Sequence, residues 1–164
     1  MTVLVPMSQD EFLAFAREAV PTFAAEKVAS GEWTSEESLE RSRKSFEELL
    51  PRGRATPDNH FFTIRDPAGD VDVGMIWIAA QQRAGKRIAY VYEISVKPDH
   101  QRRGHATRAF LALEELVRTL GLSGIALHVF GHNAAAHALY VRLGYQPTNI
   151  SMFKSVEGRP DRPA

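Results

Sequence analysis

The chain contains no cysteine. Without thiols it has neither disulfides nor thiolate metal sites, and a covalent intermediate on cysteine is excluded. Net charge is also missing: 20 Lys plus Arg balance 20 Asp plus Glu, so no long-range field draws the molecule to nucleic acid or an anionic membrane. Any positive patch has to be local. No apolar run approaches the roughly 18 residues that a bilayer-crossing helix needs. The first residues lack the charged-then-apolar order of a signal sequence, which makes the cytoplasm the expected location. A Walker Gly-Lys-Ser/Thr and a Rossmann Gly-x-Gly-x-x-Gly are both missing, so nucleotide hydrolysis and dinucleotide binding lose support. His128, His132 and His137 show no ligand spacing with a carboxylate partner, and no metal is expected.

What is present suits a globular protein. The 164 residues are 44% hydrophobic and 24% charged, an ordinary balance for a chain that buries a sizeable core. One domain is expected over residues 1–155, with 156–164, rich in Gly, Pro and charge, as a mobile tail. Val3–Val5 reads as a short strand. Ser8-Gln9-Asp10-Glu11 is a capping box opening a helix with Phe12, Phe15, Ala16 and Ala19 on one side, and Pro21 is expected to bend or end it. A second capping box, Thr34-Ser35-Glu36-Glu37, should start a helix burying Leu39, Phe46, Leu49 and Leu50.

Strand candidates at 61–64 and 71–80 flank the turn Asp66-Pro67-Ala68-Gly69-Asp70, which predicts an antiparallel hairpin. Gly74 inside the second strand marks a bulge or a close approach. Over 88–96 the alternation puts Ala89, Val91, Glu93 and Ser95 on one face. Phe110, Leu113, Val117 and Leu120 recur at helical spacing up to a stop at Gly121. An apolar run over 125–130, a helix capped by Asn133 and carrying Leu139, Tyr140 and Leu143, and a final strand over 148–155 complete the order. Hairpins followed by a strand–helix–strand–helix–strand unit predict an α/β fold with a mixed sheet covered by helices on both faces.

The most informative stretch joins the strand ending at Val96 to the next helix. Small residues at Gly104 and Ala106 let backbone N–H groups approach an anion, and the helix points its positive end at the same place. Gln101, Arg102 and Arg103 add donors and charge, so the loop suits a pyrophosphate.

With Glu93 upstream and His128 to Asn133 and Leu139-Tyr140 downstream, the chain resembles the GNAT superfamily of acyl-CoA-dependent N-acetyltransferases, whose loop reads Gln/Arg-x-x-Gly-x-Gly/Ala. The resemblance implies a mostly antiparallel sheet whose splayed strand pair holds the cofactor. It gives the pyrophosphate of acetyl-CoA to Gln101, Arg102, Arg103, Gly104, His105, Ala106 and Thr107, and the pantetheine arm to the backbone of Ile94, Ser95 and Val96. Asn133 would touch the cofactor arm, against its plainer reading as a helix cap. Homodimers are frequent in this family, which leaves a homodimer open here.

Amine acetylation needs a neutral nitrogen, a polarised carbonyl and a proton for the leaving thiolate. By the same resemblance Tyr140 supplies that proton, and Glu93 draws a proton from the amine through water. His128 or water alone are alternative bases. Trp33, between the first two helices, lies where the family walls its acceptor site. The expected activity is direct acetyl transfer to a primary amine, of a small molecule rather than a protein N-terminus or lysine. The competing reading is a non-catalytic acyl-CoA-binding module.

Overall fold

A computed structural model describes residues 2–157. Strands β1 (Val3–Pro6), β2 (Asn59–Asp66), β3 (Val71–Arg83), β4 (Lys86–Val96) and β5 (Ile125–Leu127) form one sheet in sequential order. β1 to β4 pair antiparallel and β5 joins β4 in parallel. The β2–β3 hairpin turns where the Asp-Pro-Ala-Gly-Asp segment predicts it, with the Asp66 carboxylate accepting from the Ala68 N–H at 3.1 Å. A second hairpin joins β3 to β4 through Ala84 and Gly85, both at positive φ (48° and 76°). Two such residues match the right-handed twist of the flanking strands.

Helices cover both faces. Against one lie α3 (His105–Thr119) and α4 (Ala134–Arg142), closing Phe110, Leu113, Val117 and Tyr140 over Ile64, Ile76, Ile78 and Val91. Against the other lie α1 (Gln9–Ala29) and α2 (Ser35–Leu49), with Phe12, Phe15 and Ala19 packed on Phe61 and Trp77. Residue for residue the capping box of α1 forms: Ser8 Oγ accepts from the Glu11 N–H, and the Glu11 carboxylate accepts from the Ser8 N–H. α3 ends as expected at Gly121, where N–H bonds from Gly121 to Arg118 and from Leu122 to Val117 close the last turn.

Several expectations need correction. α1 continues through Pro21 to Ala29. A proline removes one N–H from the ladder, the one that would meet the Arg17 carbonyl, and side chains add bonds on either side of it: Thr22 Oγ1 donates to the Glu18 carbonyl and Ser42 Oγ, from α2, to the Val20 carbonyl. That second bond explains α2. Phe46 packs on the core and Leu50 is buried as expected, but the rest of its inner face is Ser38 and Ser42, both buried, while Leu39 and Leu49 are 47% and 39% exposed. Small hydroxyls let the two helices approach closely where leucines would hold them apart. Thr34 caps α2 in position only, without a side-chain bond.

The strand expected at 148–155 does not form, and Ile150, Met152 and Phe153 stand almost fully exposed. β5 offers a ladder of three residues, too short to hold a further strand firmly. Of the tail expected at 156–164, residues 158–164 lie outside the described residues.

Candidate active site

The site begins with a slip in register. Trp77 pairs with Glu93 but Ile78 pairs with Val91, so Tyr92 is an extra residue on β4. A bulge of one residue inverts the alternation of every side chain beyond it. The expected faces are therefore wrong past Tyr92: Glu93 and Ser95 leave the side of Ala89 and Val91 and join that of Trp77 and Met75, beneath α1 and α2. On the opposite edge of β4, the parallel ladder to β5 stops at Val91 and Leu127. From there the two chains part. Ile94, Ser95 and Val96 keep an edge that no strand pairs among the described residues.

Where they part, a cleft of about 660 Å³ opens. β4 contributes Tyr90 to Ile94, the end of β5 and the chain after it contribute Leu127 to Phe130, α1 contributes Phe23 and Glu26, and α4 contributes Tyr140. Trp77 forms the floor, stacked on Tyr92 with ring centroids 4.4 Å apart.

Burial pushes the Glu93 carboxyl up to about 7, and the charge of Glu26 adds to the shift. Burial likewise raises Glu26, although the nearby His128 and His132 oppose it. Tyr140 is 92% enclosed (8% exposed). Burial raises its phenol above the usual value, and Glu93 and Glu26 act in the same sense. A phenol so placed stays protonated at neutral pH. Tyr145, its neighbour at 5.8 Å, is different: its hydroxyl is buried, has no partner among the described residues and lies away from the cleft.

The loop after β4 is held from below. Arg102 and Gly104 take left-handed φ of 59° and 79°, a region that costs a non-glycine residue roughly 1–2 kcal/mol. The N–H groups from Arg102 to Thr107 have no partner among the described residues. Arg108 ties the loop down, donating to the Arg103 carbonyl at 2.8 Å and to Thr2 Oγ1 at 3.0 Å. Gln101 donates its side-chain N–H to the Val96 carbonyl at 3.0 Å, fastening loop to strand. The open β4 edge and these free N–H groups at a helix start fit the pantetheine and pyrophosphate of acetyl-CoA.

Residues 24–145 match the sequence pattern of the acetyltransferase (GNAT) family. The chain belongs to that family. It is similar to two proteins of Bacillus subtilis strain 168 described as uncharacterized N-acetyltransferases. YycN is 34% identical over 157 residues, 95% of this chain and all of that protein. YdgE is 35% identical over 153 residues, 93% of this chain and 97% of that protein. The crystal structure of YycN, described as a putative acetyltransferase, superposes with a TM-score of 0.90 at 32% identity, covering 96% of this chain and 100% of that one.

Within this GNAT fold the site residues expected from sequence separate into groups. Glu93, Ile94 and Tyr140 meet in the cleft. Gln101, Arg102, Arg103 and Gly104 are exposed on the loop, and Ala106 and Thr107 are partly covered in the first turn of α3. His105 turns its ring inward: it is 4% exposed and lies 3.2 Å from Arg108 Nη2, so its backbone N–H is what remains for an anion. Asn133 caps α4, its side-chain oxygen accepting from the Ala136 N–H at 3.2 Å, and also lines the cleft. Trp33 does not line it. Its ring meets Phe23 edge-on at 5.5 Å, and Phe23 forms the wall.

Sequence reading missed Arg108 and Glu26. Arg108 was legible in principle, one helical turn past Gly104. Glu26 was not, because its cleft neighbours come from β4 and the chain after β5.

Proposed function

We propose that the protein transfers an acetyl group from acetyl-CoA directly to a primary amine of a small molecule. The observation that carries this reading is the pairing, in one cleft, of a carboxyl at about 7, Glu93, with a buried protonated phenol, Tyr140. Bound acetyl-CoA supplies the activated carbonyl and its thiol leaving group; Ile94 to Val96 and the loop from Gln101 to Thr107 would hold it. The acceptor arrives as an ammonium, and Glu93, half ionised near neutrality, takes one proton, directly or through water. The nitrogen lone pair then attacks the carbonyl carbon as the C–S bond breaks. Tyr140 gives its proton to the departing sulfur and is restored by the second proton of the nitrogen. The sum is one amide, one thiol and one proton released to water.

An ordinary phenol donating to an ordinary thiolate goes uphill by roughly 2 kcal/mol, and burial raises the Tyr140 phenol further. Donation therefore coincides with proton loss from the nitrogen rather than preceding it. A panel of primary amines, assayed by CoA release and mass spectrometry of the product, tests the proposal. Acetyl-CoA binding without acetylation of any amine would instead favour the non-catalytic module.

A further inference from the structure

Glu26 is the charged group that the proposed reaction leaves unused. It sits in the last turn of α1, on the wall of the cleft, where the helix carbonyls already make a negative end and a carboxylate is unfavourable. Among the described residues no ion pair reaches Glu26 or Glu93. Lys27, beside it, is engaged elsewhere: its ammonium is 2.6 Å from Glu32 and lies over the rings of Phe23, Trp33 and Phe130. The other acid on the cleft, Glu48, stands on exposed α2 with Lys44 4.0 Å away. His128 and His132 are the remaining groups near Glu26 that can turn positive.

The surface around the two carboxylates is aromatic. Phe23, Phe46, Trp77, Tyr90 and Tyr92 line it, and the Tyr92 hydroxyl already bonds Gln81 at 2.9 Å. A ligand here meets two acids that no salt bridge engages among the described residues, joined by ring faces that suit methylene groups.

We infer that the acceptor is an aliphatic diamine or polyamine whose non-reacting ammonium is held by Glu26 while the reacting nitrogen lies at Glu93. This rests on the proposed acetyl transfer, which assigns Glu93 to the reacting nitrogen. An acceptor with a single nitrogen would leave Glu26 uncompensated. The aromatic walls offer the carbon chain dispersion and the ammonium cation–π attraction.

The test compares unbranched diamines of three to six carbons with monoamines of equal length, in turnover and in calorimetric binding to the CoA-saturated protein. Diamines should be favoured in kcat/KM by about 10- to 100-fold, the range of a charge-assisted hydrogen bond. In Glu26→Gln the diamine-to-monoamine ratio should fall to about one, mainly through KM. Glu26→Asp, which withdraws the carboxylate by one carbon, should restore the preference and move it to a longer diamine. Equal use of diamines and monoamines by the parent, a preference untouched by Glu26→Gln, or a preference for arylalkylamines would overturn the inference while leaving acetyl transfer intact. Diamine binding that depends on Glu26 without any acetylation would keep the inference about the ligand and overturn the transferase reading.

Discussion

Gly74 on β3 and Ser95 on β4 approach so closely that a Cβ at position 74 would lie 2.1 Å from the Ser95 carbonyl oxygen. Backbone occupies the space where a side chain would be. The contact fixes β4 against β3 just where the other edge of β4 is left free, so the segment from Ile94 to Val96, paired on one edge only, is held rigidly by its neighbour. Gly74→Ala should cost about 1–3 kcal/mol, the usual range for forcing atoms into a filled site. It should also weaken CoA binding, because the strand that receives the pantetheine arm has to shift. Chemical denaturation and calorimetry check the two effects together, and unchanged stability would mean the strands part without cost.

The loop depends on a backbone conformation. Gly104 at φ 79° has a Cβ position only 2.8 Å from the Arg108 guanidinium that anchors the loop. In Gly104→Val the left-handed strain and the displaced arginine should lower Tm by roughly 2–8 °C. CoA affinity should fall at least 10-fold, the mark of losing more than one charge-assisted bond. Normal affinity in this variant would put the pyrophosphate elsewhere.

Glu93 sets the acidic limb of activity. A base has to be ionised to accept a proton, so kcat/KM should rise with pH through about 7, the value to which burial and Glu26 push this carboxyl. Glu93→Gln should lower kcat/KM by about 10²-fold or more and flatten that limb. Removing the charge of Glu26 takes away one of the two causes of the shift, so Glu26→Gln should move the limb to lower pH. His128 also lines the cleft, and a limb that stays in place in both carboxamide variants would move the base from Glu93 to His128 or to water.

Tyr140→Phe should keep the fold, since the ring packs on Phe110 at 5.4 Å and that contact needs no hydroxyl. Turnover should slow by about 10²- to 10⁴-fold, in kcat rather than KM, because the thiolate exists only as the C–S bond breaks. A thioester with a more acidic thiol should recover part of the loss. Tyr145→Phe is the control: its hydroxyl is enclosed and unpartnered among the described residues, so its removal should leave turnover nearly as it was and raise stability slightly.

What the sequence by itself determined is the set of features whose causes lie within a few residues of one another. The capping box at Ser8 and Glu11, the turn at 66–70, the glycine that starts α3 and the one that ends it are each decided by local backbone geometry and neighbouring hydrogen bonds. The mixed sheet and its two-sided covering by helices followed from the order of these elements, and the glycine loop together with Glu93, His128 to Asn133 and Leu139-Tyr140 carried the family resemblance.

Only the tertiary structure decided the rest. The face on which Glu93 lies depends on Tyr92 having no partner on β3, a matter of register between strands that alternation along one strand cannot reveal. α2 buries serines because Ser42 meets the Val20 carbonyl on α1, and α1 outlasts Pro21 in the same packing. His105 is a core residue because Thr2 and Arg108 surround it. Glu93 and Tyr140 are 47 residues apart in sequence, and their shifted acidities arise from desolvation in a cleft built by β4, α1, α4 and the chain after β5. Desolvation is a property of the assembled surroundings, so it has no signature in the residues that undergo it.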